Sequence, residues 1–157
     1  MIKIGKVLSR RVKGFPRYPI SVPQIPKNKG TFASKGERFM TACLENIFIA
    51  PFHKIRPDWL RNPRTKRKLE LDAYNNSLKI AGEYNGMQHY VYPNFFHKTY
   101  SSFKSQVERD LIKEKICRKN RVYLIRVPYT VSCTVMQDYI YSVLIKSVRN
   151  YDWKKDL

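Results

Sequence analysis

The sequence predicts an α/β domain in which a mixed sheet is flanked by helices. Two observations predict it. Apolar spacing alternates between the helical and strand periods in the order helix, strand, strand, strand, helix, strand, helix. The chain has 157 residues, 43% of them hydrophobic, with two Trp, eleven Tyr and eight Phe. That is core material for one domain and too little chain for two, and a disordered basic tail would not carry it.

The elements follow in order. Ser34-Lys35-Gly36-Glu37 has the form of a capping box, and Phe39, Met40, Cys43, Leu44 and Ile47 then trace one buried helical face until Pro51. Phe52 to Arg56 reads as a short strand cut by Pro57. Lys68 to Tyr74 alternates, with Leu69, Leu71 and Ala73 on one face and Glu70, Asp72 and Tyr74 on the other. Asn75-Asn76-Ser77 signals a turn, and Leu78 to Tyr84 returns, which makes a β-hairpin. Tyr100 to Asn120 is a long helix with Phe103, Val107, Leu111, Ile112, Lys115 and Ile116 on its packed face. Arg121 to Pro128 is continuously apolar enough to be a central strand. Ser132 to Arg149 is a last helix, capped by Ser132, with Val135, Tyr139, Val143, Leu144 and Val148 inward.

Charge points to the partner. Lys and Arg total 31 against 12 Asp and Glu, a formal net charge of +19. Such a field favours polyanions: DNA, RNA or an anionic membrane surface; charge alone does not separate DNA from RNA. Residues 1–33 form a basic arm. Its first thirty residues carry no acid and hold Arg10, Arg11 and Lys13 among their cations, with Pro16, Pro19, Pro23 and Pro26 keeping it extended. A second run, Arg61, Arg64, Lys66, Arg67 and Lys68, reads as an exposed loop that contacts phosphates or serves as a nuclear-import signal. The domain proper spans 34–150, and 151–157 is a short tail. No apolar run approaches a membrane span, and the N-terminus lacks the apolar core of a secretory signal. The three cysteines, Cys43, Cys117 and Cys133, form no CxxC pair, which fits a reducing intracellular compartment: cytoplasm, nucleus or a virion.

Acids on so basic a surface need a reason. Asp72 and Glu83 lie on the two arms of the hairpin, eleven positions apart, and the turn brings them nearly opposite. Two carboxylates meeting there can bind Mg2+ or Mn2+, with water and substrate phosphate as further ligands. Such an ion polarises a phosphoryl group and lowers the pKa of the attacking water. The plainer reading is two ordinary exposed strand acids.

The run Ile80-Ala81-Gly82-Glu83-Tyr84-Asn85-Gly86-Met87-Gln88-His89-Tyr90, with Leu71-Asp72-Ala73-Tyr74 before it, resembles the PD-(D/E)xK, restriction-endonuclease-like nucleases. The likeness is to the E-Y-x-G-x-Q-H-Y type, similar to very-short-patch-repair-like endonucleases of bacteria and large DNA viruses. Glu108-Arg109-Asp110-Leu111-Ile112-Lys113 and Val122 to Tyr129 look like the same family's continuation. The resemblance implies an αβββαβ core, with Asp72 and Glu83 as metal ligands and Glu37 as an additional acidic ligand. It places Gln88 and His89 beside the metal and the scissile phosphate. Arg109, Asp110 and Lys113 would order the site or hold phosphate.

One position departs from the superfamily pattern. Where a Lys follows the Glu by two residues, this chain has Asn85. An amide cannot supply the cation, so Lys113, Lys79 or the metal must. His89 and Gln88 have structural readings as well, as a hydrogen-bonded histidine and a strand-end amide. Tyr90, Tyr92, Phe95 and Phe96 read as loop-anchoring core rather than base-stacking groups.

The expectation is a metal-dependent DNA endonuclease with no small-molecule cofactor and no membrane partner; a homodimer would suit double-strand cutting. The alternative is a catalytically degenerate nuclease-fold protein that binds or packages DNA. An RNA-directed protein ranks lower, because no RNP-type motif is present.

Overall fold

A computed structural model describes residues 23, 33–90 and 99–149. The arm residues Arg10, Arg11 and Lys13, the aromatics Tyr92, Phe95 and Phe96, and the tail 151–157 lie outside the described residues. Among the described residues the fold is mixed α/β, with three α-helices and one four-stranded sheet.

Helix α1, Lys35–Phe48, begins as the sequence predicts. Ser34 Oγ accepts from the Glu37 amide at 3.1 Å and so satisfies an end-turn donor. Phe39, Met40, Cys43, Leu44, Ile47 and Phe48 are buried along one face. Ile49 ends the helix in the left-handed region at φ 50°. This is a costly conformation for a β-branched residue, and Pro51 follows it.

Strands β1 (His53–Ile55), β2 (Leu71–Asn75) and β3 (Ile80–Asn85) run antiparallel in that order. The β2–β3 turn is held by Asn75, whose Oδ1 accepts from the Leu78 amide at 2.9 Å. Its register pairs Ala73 with Gly82 and Tyr74 with Ala81. A short 3-10 turn, Met87–His89, follows β3. Helix α2, Tyr100–Lys119, then crosses over to β4, Tyr123–Pro128, which pairs parallel with β3. Helix α3, Met136–Arg149, closes the domain.

The sheet separates two apolar clusters. On one face, α1 and α3 pack Met40, Leu44, Met136, Ile140 and Leu144 against Ile80, Ile125 and Val127. On the other, Cys117 of α2 and its neighbour Ile116 meet Leu60, Leu71, Tyr74, Ala81 and Val122.

Three expectations are corrected. Among the described residues strand β4 stands at the end of the sheet order rather than in its centre. Its apolar run reflects helices on both faces, not a strand on each side. In α2, Val107 and Leu111 are exposed, at 37% and 60%. Only the C-terminal half of that helix seats on the sheet, while its N-terminal half runs beside the 3-10 turn. Residues 132–135 precede α3 as turns, Ser132 bonding to Thr134 instead of capping, so Val135 is half exposed and the buried line is Met136, Ile140 and Leu144.

Candidate metal and nucleic-acid site

The hairpin brings two acids close together. Its ladder pairs run from Asn75–Ile80 to Ala73–Gly82, one residue short of Asp72 and Glu83, and the two carboxylates are near enough that the Asp72 charge raises the Glu83 pKa. Asp72 Oδ2 accepts the Tyr84 amide at 3.1 Å, which fixes its carboxylate toward β3. Glu83 is buried, and Lys113 of α2 donates to its Oε2 at 2.7 Å. Its other oxygen, Oε1, is buried with no hydrogen-bond partner. A buried carboxylate oxygen without a donor is costly unless a cation or water serves it.

Glu37 joins from the first turn of α1. Gly36 permits this close approach: a Cβ there would lie 2.2 Å from the Tyr84 ring. Lys54 on β1 links Glu37 to the strand acids, with Nζ 3.2 Å from Glu37 Oε2, 3.1 Å from Glu70 Oε1 and 3.9 Å from Asp72 Oδ1. The acids feel one another. Burial raises the Asp72 pKa, and the Glu37 charge raises it further. Burial pushes Glu83 up to about 7, against the pull of Lys113 and with help from the Asp72 charge.

A cation fits this set in one manner only. Among the described residues no three His, Cys, Asp or Glu side chains form a group that holds a metal ion. The donors are hard oxygens, with one orphaned at Glu83. Two carboxylates completed by water and phosphate suit magnesium, which keeps part of its water shell; a closed protein cage is not formed.

Beside the carboxylates lies a second network. His89 Nδ1 is 2.7 Å from Asp110 Oδ2, and Gln106 donates to Asp110 Oδ1 at 3.0 Å. Arg109 turns back along the helix to bond Gln106. Asn85 is buried; its side-chain amide donates to the Tyr90 hydroxyl at 3.3 Å, and its backbone carbonyl accepts from the Tyr129 amide. Tyr90 is half exposed and contacts the Tyr129 ring at 6.0 Å, so it is not the buried loop anchor expected. The backbone of Gln88 belongs to the 3-10 turn, while its side chain lies outside the description.

The basic run is more ordered than the exposed loop read from the sequence. Buried Asn62 accepts through Oδ1 from the Arg64 and Thr65 amides, and a bridge pairs Arg61 with Lys68. Asp58 draws both ends together, 2.9 Å from Arg61 and 2.7 Å from Lys68. Arg64 reaches Glu108 of α2 at 3.8 Å. Lys66 and Arg67 are exposed and make no ion pair among the described residues. All three cysteines are free, and burial pushes the Cys43 and Cys117 thiols up to about 12 and 11.

Sequence reasoning missed Lys54 and Glu70. Lys54 sits where the β1–β2 register slips between His53 and Ile55. No local pattern announces such a slip, so its partners could not be read from spacing.

The chain is 40% identical to "Uncharacterized protein 033L" of Invertebrate iridescent virus 3, over 73% of this chain and 59% of that protein. It is 46% identical to "Uncharacterized protein 307L" of Invertebrate iridescent virus 6, over 76% of this chain and 68% of the relative. It is 41% identical to "Uncharacterized protein 094L" of Frog virus 3, over 82% and 81%. The chain thus spans about three fifths of the first of these relatives. No family model matches the chain, and no solved structure does. No helix among the described residues is long and apolar enough to cross a membrane.

Proposed function

We propose that this chain, which belongs to the same family as the viral proteins 307L and 094L, is a divalent-metal-dependent DNA endonuclease with a restriction-endonuclease-like αβββαβ core. The observation that carries the reading is the Asp72 carboxylate held on the Tyr84 amide beside Glu83, with Glu83 Oε1 buried and without a donor among the described residues.

Asp72 and Glu83 hold the cation, and Glu37 assists directly or through water. When bound, Mg2+ or Mn2+ supplies a Lewis acid for the phosphoryl oxygen and a more acidic water. The remaining work falls to the chain. Lys113, anchored on Glu83 at 2.7 Å, provides the fixed positive charge that Asn85 cannot. Asp110 Oδ2 lies 2.7 Å from His89 Nδ1 and orients the ring; with the proton on Nδ1, Nε2 would face water or the leaving oxygen as an acceptor. Arg109 and the Arg61–Lys68 loop, tied to α2 through Arg64 and Glu108, bind the DNA backbone. Arg10, Arg11 and Lys13 add to that electrostatic footprint.

A second reading has its own observation. Asn85 stands in the Lys position with its amide turned to Tyr90, which suits a nuclease scaffold that only binds or packages DNA. Cleavage assays on supercoiled, linear, branched and single-stranded DNA separate the two, with Mg2+ or Mn2+ and beside Asp72→Ala. Cleavage by wild type alone supports the nuclease. Salt-sensitive binding without cleavage, unchanged or tighter in Asp72→Ala, supports the scaffold.

A further inference from the structure

Three acids from two stretches of chain converge on one ammonium. Lys54 Nζ meets Glu37 from α1, Glu70 from the residue before β2, and Asp72 from β2, at 3.2, 3.1 and 3.9 Å. Lys54 is not a loose surface side chain. Its backbone belongs to β1, and its side chain is 39% exposed.

The charge count limits what else can enter. Glu37, Glu70, Asp72 and Glu83, with Asp110 acting on Glu83, face Lys54, Lys113 and Arg56, the last 2.9 Å from Glu70. Five carboxylates against three cations leave two negative charges. One divalent ion neutralises the group, and two bring it to +2. In a partly desolvated site that excess is strongly opposed. Where two ions clamp a phosphoryl group they sit about 3.5–4 Å apart. A tethered ammonium against Asp72 fills that role without a second metal. The orphaned Glu83 Oε1 is the carboxylate oxygen left over for the single ion.

We propose that Lys54 is a positioning residue that takes the second-cation position of this carboxylate cluster, so that the site binds one divalent ion and not two. The inference rests on the reading of Asp72 and Glu83 as cation ligands. It assigns a role to Lys54 and Glu70 that the nuclease reading does not need.

The test is Mn2+ stoichiometry on the full chain at pH 8, read by electron paramagnetic resonance and by calorimetric titration. Wild type binds one Mn2+. Lys54→Met binds two, and the added ion broadens the resonance through coupling to the first. Lys54→Gln is the parallel variant if Met misfolds, with the same expectation. Lys54→Arg keeps the positive charge and stays at one, which a merely structural loss does not explain. One Mn2+ in wild type and one in both neutral variants overturns the role of Lys54 and leaves the nuclease reading standing. Two in wild type also overturns it. None in any protein overturns the cation reading of Asp72 and Glu83, and this inference with it.

Discussion

Lys113 Nζ donates to Glu83 Oε2 at 2.7 Å, with side-chain exposures of 14% and 8%, and so ties α2 to β3 beside the Asp72 carboxylate. Breaking one partner of a buried pair leaves the other charge uncompensated. Lys113→Met is expected to lower stability by about 3 kcal/mol at pH 8. The loss shrinks at pH 5, where Glu83 takes up a proton. Urea unfolding at the two pH values measures the difference. Equal losses at both would show that the pair is not the cause.

Stability without metal should fall as pH rises. The folded state raises the Glu83 carboxyl from its ordinary 4.5 to about 7 through burial, and burial raises Asp72 as well. Between those values the folded protein holds a proton that the unfolded chain has released. Raising pH therefore removes stability, at up to about 1.4 kcal/mol per pH unit for each such proton. Because Mg2+ needs both carboxylates ionised, its stabilising effect should be largest above pH 7 and fade toward pH 5. Thermal unfolding from pH 5 to 8, with and without Mg2+, reads both trends. A metal-free stability that climbs over this range would contradict the assignment.

Gly36 sets the distance between α1 and β3. A methyl there would meet the Tyr84 ring at 2.2 Å, and an aromatic ring has little freedom to yield. Gly36→Ala should cost about 1–3 kcal/mol by overpacking, offset slightly by helix propensity. It should also weaken divalent binding, because Glu37 moves with the helix. Chemical denaturation and a Mn2+ titration on the same protein check the two effects. An unchanged affinity would remove Glu37 from the site.

The hairpin was legible from its turn at Asn75, but its faces were not. Leu71 packs with Tyr74 in the cluster under α2, while Ala73 packs in the cluster under α1 and α3, because β2 spends an extra residue against β1 between Leu71 and Tyr74. The cap at Ser34 was equally local. Contacts between distant elements were not. Lys54 depends on a slipped register, and the end position of β4 depends on helices covering both its faces. The exposure of Val107 and Leu111 depends on how far α2 extends past the sheet. The order of the basic loop depends on one buried Asn62, which carries no periodic signal.

That loop makes unequal predictions for its cations. Asp58 pairs with both Arg61 and Lys68, whereas Lys66 and Arg67 make no ion pair among the described residues. Removing one phosphate-binding cation should flatten the slope of log K against log salt by about 1. Lys66→Ala and Arg67→Ala should show that change, and Arg61→Ala should show less. Fluorescence anisotropy on labelled DNA across a salt series measures each slope. A uniform effect would mean that Asp58 does not govern the loop.

The most direct measurement is Mg2+-dependent nicking of supercoiled DNA by wild type, Asp72→Asn and Glu83→Gln, with DNA binding followed in parallel. Wild type should nick only with the metal present, and both variants should bind DNA yet leave it intact. Equal nicking by all three proteins, or no nicking by wild type in Mg2+ or Mn2+, would contradict the account.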